Sequence, residues 1–185
     1  LHLEKEKIIT RETMKVYCKA LNIEYSSAIS YLIRTKNIST ILRGIFYIPS
    51  ISERKMNTRE IFYLNALAKA LELKKVNWYL GLESALKLNG LTHEYYTMDT
   101  IINDKIFRKK PIKVLGNKIK FIKIKAKLSE VGVIKKKDLK ISDKEKTILD
   151  LIYLAKYNGK TDKEIRNLIM PYITYCKKKK LKTYA

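Results

Sequence analysis

Residues 10–49 read TRETMKVYCKALNIEYSSAISYLIRTKNISTILRGIFYIP, and the fold of the first part of the chain turns on them. Thr10 carries an N-cap side chain. Met14, Tyr17, Cys18 and Leu21 follow at i, i+3, i+4 and i+7, the spacing of one buried stripe on an amphipathic helix. Cys18 lies on that stripe and reads as a small core hydrophobe, not a reactive thiol. Asn22-Ile23-Glu24 interrupts the pattern, and Tyr25, Ala28, Ile29 and Leu32 then repeat the same spacing. Two short helices joined by about three residues predict a helix-turn-helix. With the second stripe turned inward, Ser26, Ser27, Ser30, Tyr31 and Arg34 face out, and Lys36 follows just beyond. Small hydroxyls permit close approach and bond phosphates or base edges, while a guanidinium such as Arg34 reads guanine or clamps a phosphate.

Ser39–Leu42 and Ile45–Ile48 are two β-rich runs joined by Arg43-Gly44, and Pro49 closes the second. Glycine supplies the positive φ that a tight hairpin needs. Helix, turn, helix, hairpin is the winged-helix order, with Arg43 at the hairpin tip to touch backbone or minor groove. The expected fold class is therefore α+β: a winged helix-turn-helix over 1–56, then a second domain over 57–185.

The polar stretch Pro49–Lys55 marks the expected boundary. Asn57 with Glu60 reads as a capping box opening a helix to about Leu73, with Ile61, Leu64, Ala68 and Leu71 inward. A second helix over Leu80–Leu88 stops at Asn89-Gly90. Strand signals then run from Tyr95 to Ile102, from Ile112 to Leu115, along Lys118–Lys127 and over Val133–Ile141, which predicts an antiparallel sheet flanked by helices. Ile119 and Phe121 share one parity along Lys118–Lys127, while Ile122, Ile124 and Ala126 share the other. A β-bulge near Phe121-Ile122 is expected, and it puts Lys118, Lys120, Lys123, Lys125 and Lys127 on one face. Five ammonium groups on one face repel unless something anionic lies against them, which leaves two readings: a fully solvated outer strand, or a surface for DNA or an acidic partner. Ser142 with Glu145, and Thr161 with Glu164, read as two further capping boxes, the second opening a terminal helix broken near Pro171.

The charge is +22, from 40 Lys and Arg against 18 Asp and Glu. It divides into +5 over 1–57, +1 over 58–108 and +16 over 109–185. Such an excess points to a polyanion, above all nucleic acid. The run Lys177–Lys180 reads as a solvated, mobile tail. With 46% hydrophobic residues the chain has material for a core, which separates it from disordered basic proteins. No apolar run approaches the roughly 18 residues of a membrane span and the opening residues carry no signal-peptide pattern, so a cytoplasmic location without membrane contact is expected. Two cysteines and two histidines are too few for a disulfide framework or the usual zinc ligand sets.

No phosphate-binding glycine loop, HExxH or GxSxG pattern occurs, and neither His2 nor His93 has an acid or thiol partner nearby in sequence. Asp143, Glu145 and Asp150 cluster at a helix start, where carboxylates complement the helix dipole. No catalytic residue, cofactor or metal is expected.

Three stretches resemble AbiEi-type antitoxins. Leu42-Arg43-Gly44-Ile45-Phe46-Tyr47-Ile48-Pro49 resembles the end of that family's winged helix. Residues 83–91, ESALKLNGL, resemble its "SALxxHGL" helix end, with Asn89 where many members carry His. Residues 141–150, ISDKEKTILD, resemble its "xxDxEKTxLD" helix start. The resemblance implies a transcriptional autoregulator and antitoxin of a two-gene abortive-infection system. It would bind inverted repeats of double-stranded DNA in its own promoter, as a homodimer on that DNA, and counteract a nucleotidyltransferase-like toxin. The residues themselves leave two alternatives: an RNA-binding protein using the basic sheet, and an atypical enzyme modifying the toxin.

Overall fold

The computed structural model describes residues 7–185. The fold is α+β and divides into two compact units, residues 1–74 with 113–117, and residues 75–112 with 118–185. The position expected for the domain boundary, after residue 56, thus falls within the first unit. His2 lies outside the described residues.

In the first unit, β1 (Ile8–Thr10) leads directly into α1 (Arg11–Ala20), and α2 spans Tyr25–Arg34. Thr10 caps α1 by accepting the amide of Thr13 at 3.3 Å. The strands β2 (Ser39–Leu42) and β3 (Ile45–Tyr47) form a hairpin, and β1 adds to β3 to give an antiparallel sheet of order β1-β3-β2. Ile9, Met14, Ile38 and Phe46 form the centre of this core, with Tyr25, Ile29, Leu32 and Ile48 against them. Of the α1 stripe only Met14 and Cys18 are buried.

The stretch read as a linker is a helix, α3 (Ile51–Met56), closed by a complete Ser50/Glu53 capping box. Asn57 does not start the next helix. It ends α3 in the left-handed conformation at φ 51°, and α4 begins at Tyr63 and runs to Leu73. Leu64, Ala68 and Leu71 face inward as expected, and Ile61 precedes the helix.

The second unit is built on five strands in the order β7-β5-β4-β9-β8. They are β4 (Trp78–Leu80), β5 (Met98–Asn103), β7 (Asn117–Lys123), β8 (Val133–Lys136) and β9 (Leu139–Ser142), whereas β6 (Ile112–Val114) falls mostly within the 113–117 stretch of the first unit. The sheet is mixed where an antiparallel one was expected: β4 runs parallel to β9 and β5 parallel to β7. Val133–Ile141 is a hairpin and not one strand, because Lys137 turns the chain at φ 54°.

Helices α5 (Leu82–Leu88), α6 (Lys144–Tyr157), α7 (Asp162–Ile173) and α8 (Lys178–Tyr184) complete the unit. Tyr79, Leu82, Leu86, Ile102, Ile124, Ile148 and Leu151 form its core, with Leu168, Ile169 and Tyr172 packed on it. That packing carries α7 through Pro171 to Ile173, so the expected break is absent: one missing amide costs less than the buried contacts return.

Candidate nucleic-acid interface

On α2 the structure turns out the side chains that the sequence pattern turned out. Ser26, Ser27, Ser30, Tyr31 and Arg34 are exposed, while Tyr25, Ala28, Ile29 and Leu32 are partly buried. Tyr31 is 55% exposed, and the Arg34 guanidinium sits 5.9 Å from its ring centroid, a cation–π distance. Lys36 is exposed in the left-handed region at φ 56°, just past the helix end. Arg43 is exposed at the β2–β3 turn beside Gly44, whose φ of 80° suits glycine and whose carbonyl accepts the Arg11 amide at 2.7 Å.

One functional feature was missed by the periodicity: Glu24 caps α2. Its carboxylate accepts the amides of Ser26 at 2.8 Å and Ser27 at 2.6 Å, and the Ser26 hydroxyl at 2.5 Å. These hydrogen bonds, the Ser26 hydroxyl first, hold the carboxyl down at about 2. The N-terminal end of α2 therefore carries a fixed negative charge, and a phosphate approaching it is repelled. The face left for an anion is the Ser30, Tyr31 and Arg34 side. Glutamate is an uncommon N-cap, so residue preference alone points away from it.

The five lysines of the second unit do not share a face. β7 pairs with β5 in unbroken register from Met98↔Lys118 to Asn103↔Lys123, with no bulge at Phe121-Ile122. Lys118 and Lys120 project on one side and Lys123 on the other. Lys125 and Lys127 lie beyond the strand, at the entry to and inside a 3-10 turn over Ala126–Ser129. All five are exposed, and among the described residues none pairs with a carboxylate. The parity clash has another origin: Phe121 is buried and Ile122 packs on the core, so both faces are covered there. An RNA-binding sheet loses the single lysine face on which that alternative rested.

The acids at the start of α6 do more than meet a helix dipole. Asp143, not Ser142, is the N-cap and accepts the Lys146 amide at 2.8 Å. Its other oxygen receives Lys180 Nζ at 2.6 Å and the Tyr184 hydroxyl at 3.1 Å, while Glu145 accepts the Lys177 amide at 2.9 Å. Deeper in, Asp150 accepts Lys146 Nζ at 2.6 Å and the Tyr79 hydroxyl at 2.8 Å. Burial raises the Asp150 carboxyl above its ordinary range, and Lys146 opposes part of that rise. Hydrogen bonding to Asp143 chiefly raises Lys180. The lysine run read as a mobile tail is thus helix α8, with Lys180, Leu181 and Tyr184 half-buried. Asn89 donates to the Ser142 carbonyl at 2.8 Å and so ties the end of α5 to β9.

Gly132 lies over this network at φ 71°. A Cβ there would sit 2.6 Å from Lys146 Cβ and 2.8 Å from a Tyr184 ring carbon. Gly132→Ala is expected to cost the second unit about 2 kcal/mol, seen as a lowered urea midpoint by circular dichroism.

Among the described residues no group of three or more His, Cys, Asp or Glu is arranged to hold a metal, and no helix is long and apolar enough to cross a membrane. His93 is exposed in the loop after α5. Neither a protein-family model nor a curated protein matches the chain.

Proposed function

We propose that this chain is a DNA-binding transcriptional autorepressor and the antitoxin of a two-gene abortive-infection system of the AbiEi type. Its target would be inverted repeats in its own promoter, and its toxin a nucleotidyltransferase-like enzyme. The observation that carries the DNA-binding part is the outward face of α2. Hydroxyls and a ring-stacked arginine stand in solvent there, the opposite side packs on a three-stranded sheet, and a hairpin with an exposed arginine follows. In this reading β1, α1, α2, β2 and β3 are a winged helix-turn-helix, α2 enters the major groove, and Arg43 on the wing meets the backbone. The antitoxin part rests on the three sequence stretches quoted above. One of them, residues 141–150, supplies Asp143, Glu145, Lys146 and Asp150 of the buried network.

Arg34→Ala combined with Arg43→Ala is expected to weaken binding to the chain's own upstream DNA by ten- to a hundredfold at fixed salt. The slope of log affinity against log salt should fall by about 2, one for each lost phosphate contact. Ser30→Ala should have a smaller effect. Unchanged affinity and footprint in the double variant would overturn the recognition face. The antitoxin part is tested by co-expressing the chain with the nucleotidyltransferase-like gene beside it and measuring growth. Absence of rescue overturns that part.

A further inference from the structure

The helices of the first unit leave apolar surface in water. The α1 stripe calls for Tyr17 and Leu21 inside, yet they are 39% and 68% exposed, Ile23 is 50% exposed, and no residue of α2 is fully buried. Around them α1, α2, the Ile48-Pro49 segment and α3 form a groove of about 860 Å3, the size of a small-molecule site. Met14, Cys18, Leu21, Ala28, Leu32 and Ile48 give it an apolar lining. Its charged group is Arg54, which lies with Asn37: Arg54 donates to Asn37 Oδ1, and Asn37 Nδ2 donates to Thr35 Oγ1 at 2.8 Å. Among the described residues no carboxylate pairs with Arg54, so a guanidinium held in place by an amide keeps donors free at the groove.

An occupant has to match both features. A second copy docked groove to groove across a two-fold axis would set one Arg54 against another. The elements around the groove carry Lys15, Lys19, Arg34 and Lys55 beside Arg54, against Glu12 at the start of α1 and Glu24 at the start of α2, while Glu53 is buried, so positive charge prevails there. Charge complementarity therefore favours an anion and the lining favours a hydrocarbon. We propose that this groove binds an anionic amphiphile, a molecule with an acyl-sized apolar body and one carboxylate, with the carboxylate on Arg54. Tyr31 and Ser27 line the same groove and belong to the outward face of α2, so occupancy reports directly to the surface proposed for DNA. That coupling rests on the DNA-binding reading; the binding itself does not.

Isothermal titration of the whole chain with dodecanoate, below its micelle concentration, tests the site. The expected result is one saturable equivalent. Affinity should drop at least tenfold in Arg54→Gln and in Leu21→Asp, both exposed positions where the thermal midpoint should stay put. Dodecyltrimethylammonium, with the same tail and the opposite head, should bind at least tenfold more weakly. Uptake beyond one equivalent without saturation, or equal affinity in Arg54→Gln, overturns the site. So does a concentration-dependent dimer abolished by Leu21→Asp without dodecanoate binding, which would give the groove to a second copy. A promoter shift assay separates the two readings. Loss of DNA affinity of fivefold or more with dodecanoate supports the coupling, and unchanged affinity removes it. Failure of unloaded protein to bind DNA at all would overturn the DNA reading while leaving the titration result standing.

Discussion

Glu53→Ala is expected to destabilise the first unit by about 3–5 kcal/mol, a large part of what holds a domain of this size together. Glu53 is 2% exposed, and its two oxygens gather four donors from separated parts of the unit. Oε1 takes the Tyr47 hydroxyl from β3 and the Glu60 amide at 2.7 Å; Oε2 takes the Ser50 amide at 2.7 Å and Lys7 Nζ at 3.3 Å. Removing the carboxylate strands the Tyr47 hydroxyl, which has no route to water at 0% exposure, and takes an acceptor from the Ser50 and Glu60 amides, while Lys7 keeps Glu60. Glu53→Gln keeps the shape but brings an amide group to a set of donors, so it should cost less, about 1–3 kcal/mol. Urea unfolding by circular dichroism should show an early transition in the alanine variant, separate from that of the second unit.

The same carboxylate makes the first unit acid-sensitive. Burial pushes Glu53 up, but the hydrogen bonds from Tyr47, Ser50, Glu60 and Lys7 outweigh it and hold the group at about 2, below its ordinary 4.5. A depressed folded-state value means that the native state gives up the proton more readily than the unfolded chain. Its contribution is therefore complete above pH 4.5 and is lost as pH falls from 4.5 toward 2. Midpoints measured across that window should fall in the native chain. They should fall less in Glu53→Gln, where the group no longer titrates.

The parts of this fold that were legible in sequence are those fixed by neighbours along the chain. The stripe of α2, the Arg43-Gly44 turn and the Thr161/Glu164 capping box are each complete within ten residues, and each stands where its pattern put it. Local motifs are also degenerate. Asn57 and Glu60 have the spacing of a capping box, yet Ser50 and Glu53 have it too and form it, leaving Asn57 to end the same helix. Alternation identifies a face only where one side of the strand is solvated. At Phe121 and Ile122 both sides are covered, so parity there said nothing about a bulge. The lysine run showed the widest gap. Its charge suggested solvent, but Lys180 pairs with Asp143, thirty-seven residues earlier, a relation that no window along the chain contains. For the candidate interface, the outward side chains of α2 were readable and the Glu24 cap that redirects them was not.

Lys146→Met is expected to destabilise the second unit by about 3–5 kcal/mol, because it leaves Asp150 buried without its cation. Both members are nearly inaccessible, Lys146 at 6% and Asp150 at 5%, and Nζ meets the carboxylate at 2.6 Å over the Tyr79 ring. Asp150→Asn, which strands Lys146 instead, should cost a comparable amount. Replacing both, Lys146→Met with Asp150→Asn, removes two desolvated charges together while keeping an acceptor for the Tyr79 hydroxyl, and should recover most of the loss. The coupling in such a double-mutant cycle measures the pair directly. Acid should act here in the opposite sense to Glu53. Burial already lifts the Asp150 carboxyl above its ordinary 3.8, and loss of Lys146 lifts it further. The folded variant then binds the proton more tightly than the unfolded chain, so its stability falls as pH rises from 3.8 upward and returns on acidification. A Lys146→Met unfolding midpoint that stays flat from pH 7 down to 4, while Glu53→Gln behaves as stated, would show that folded Asp150 binds its proton no more tightly than the unfolded chain does, and would overturn the claim that its burial disfavours the charge.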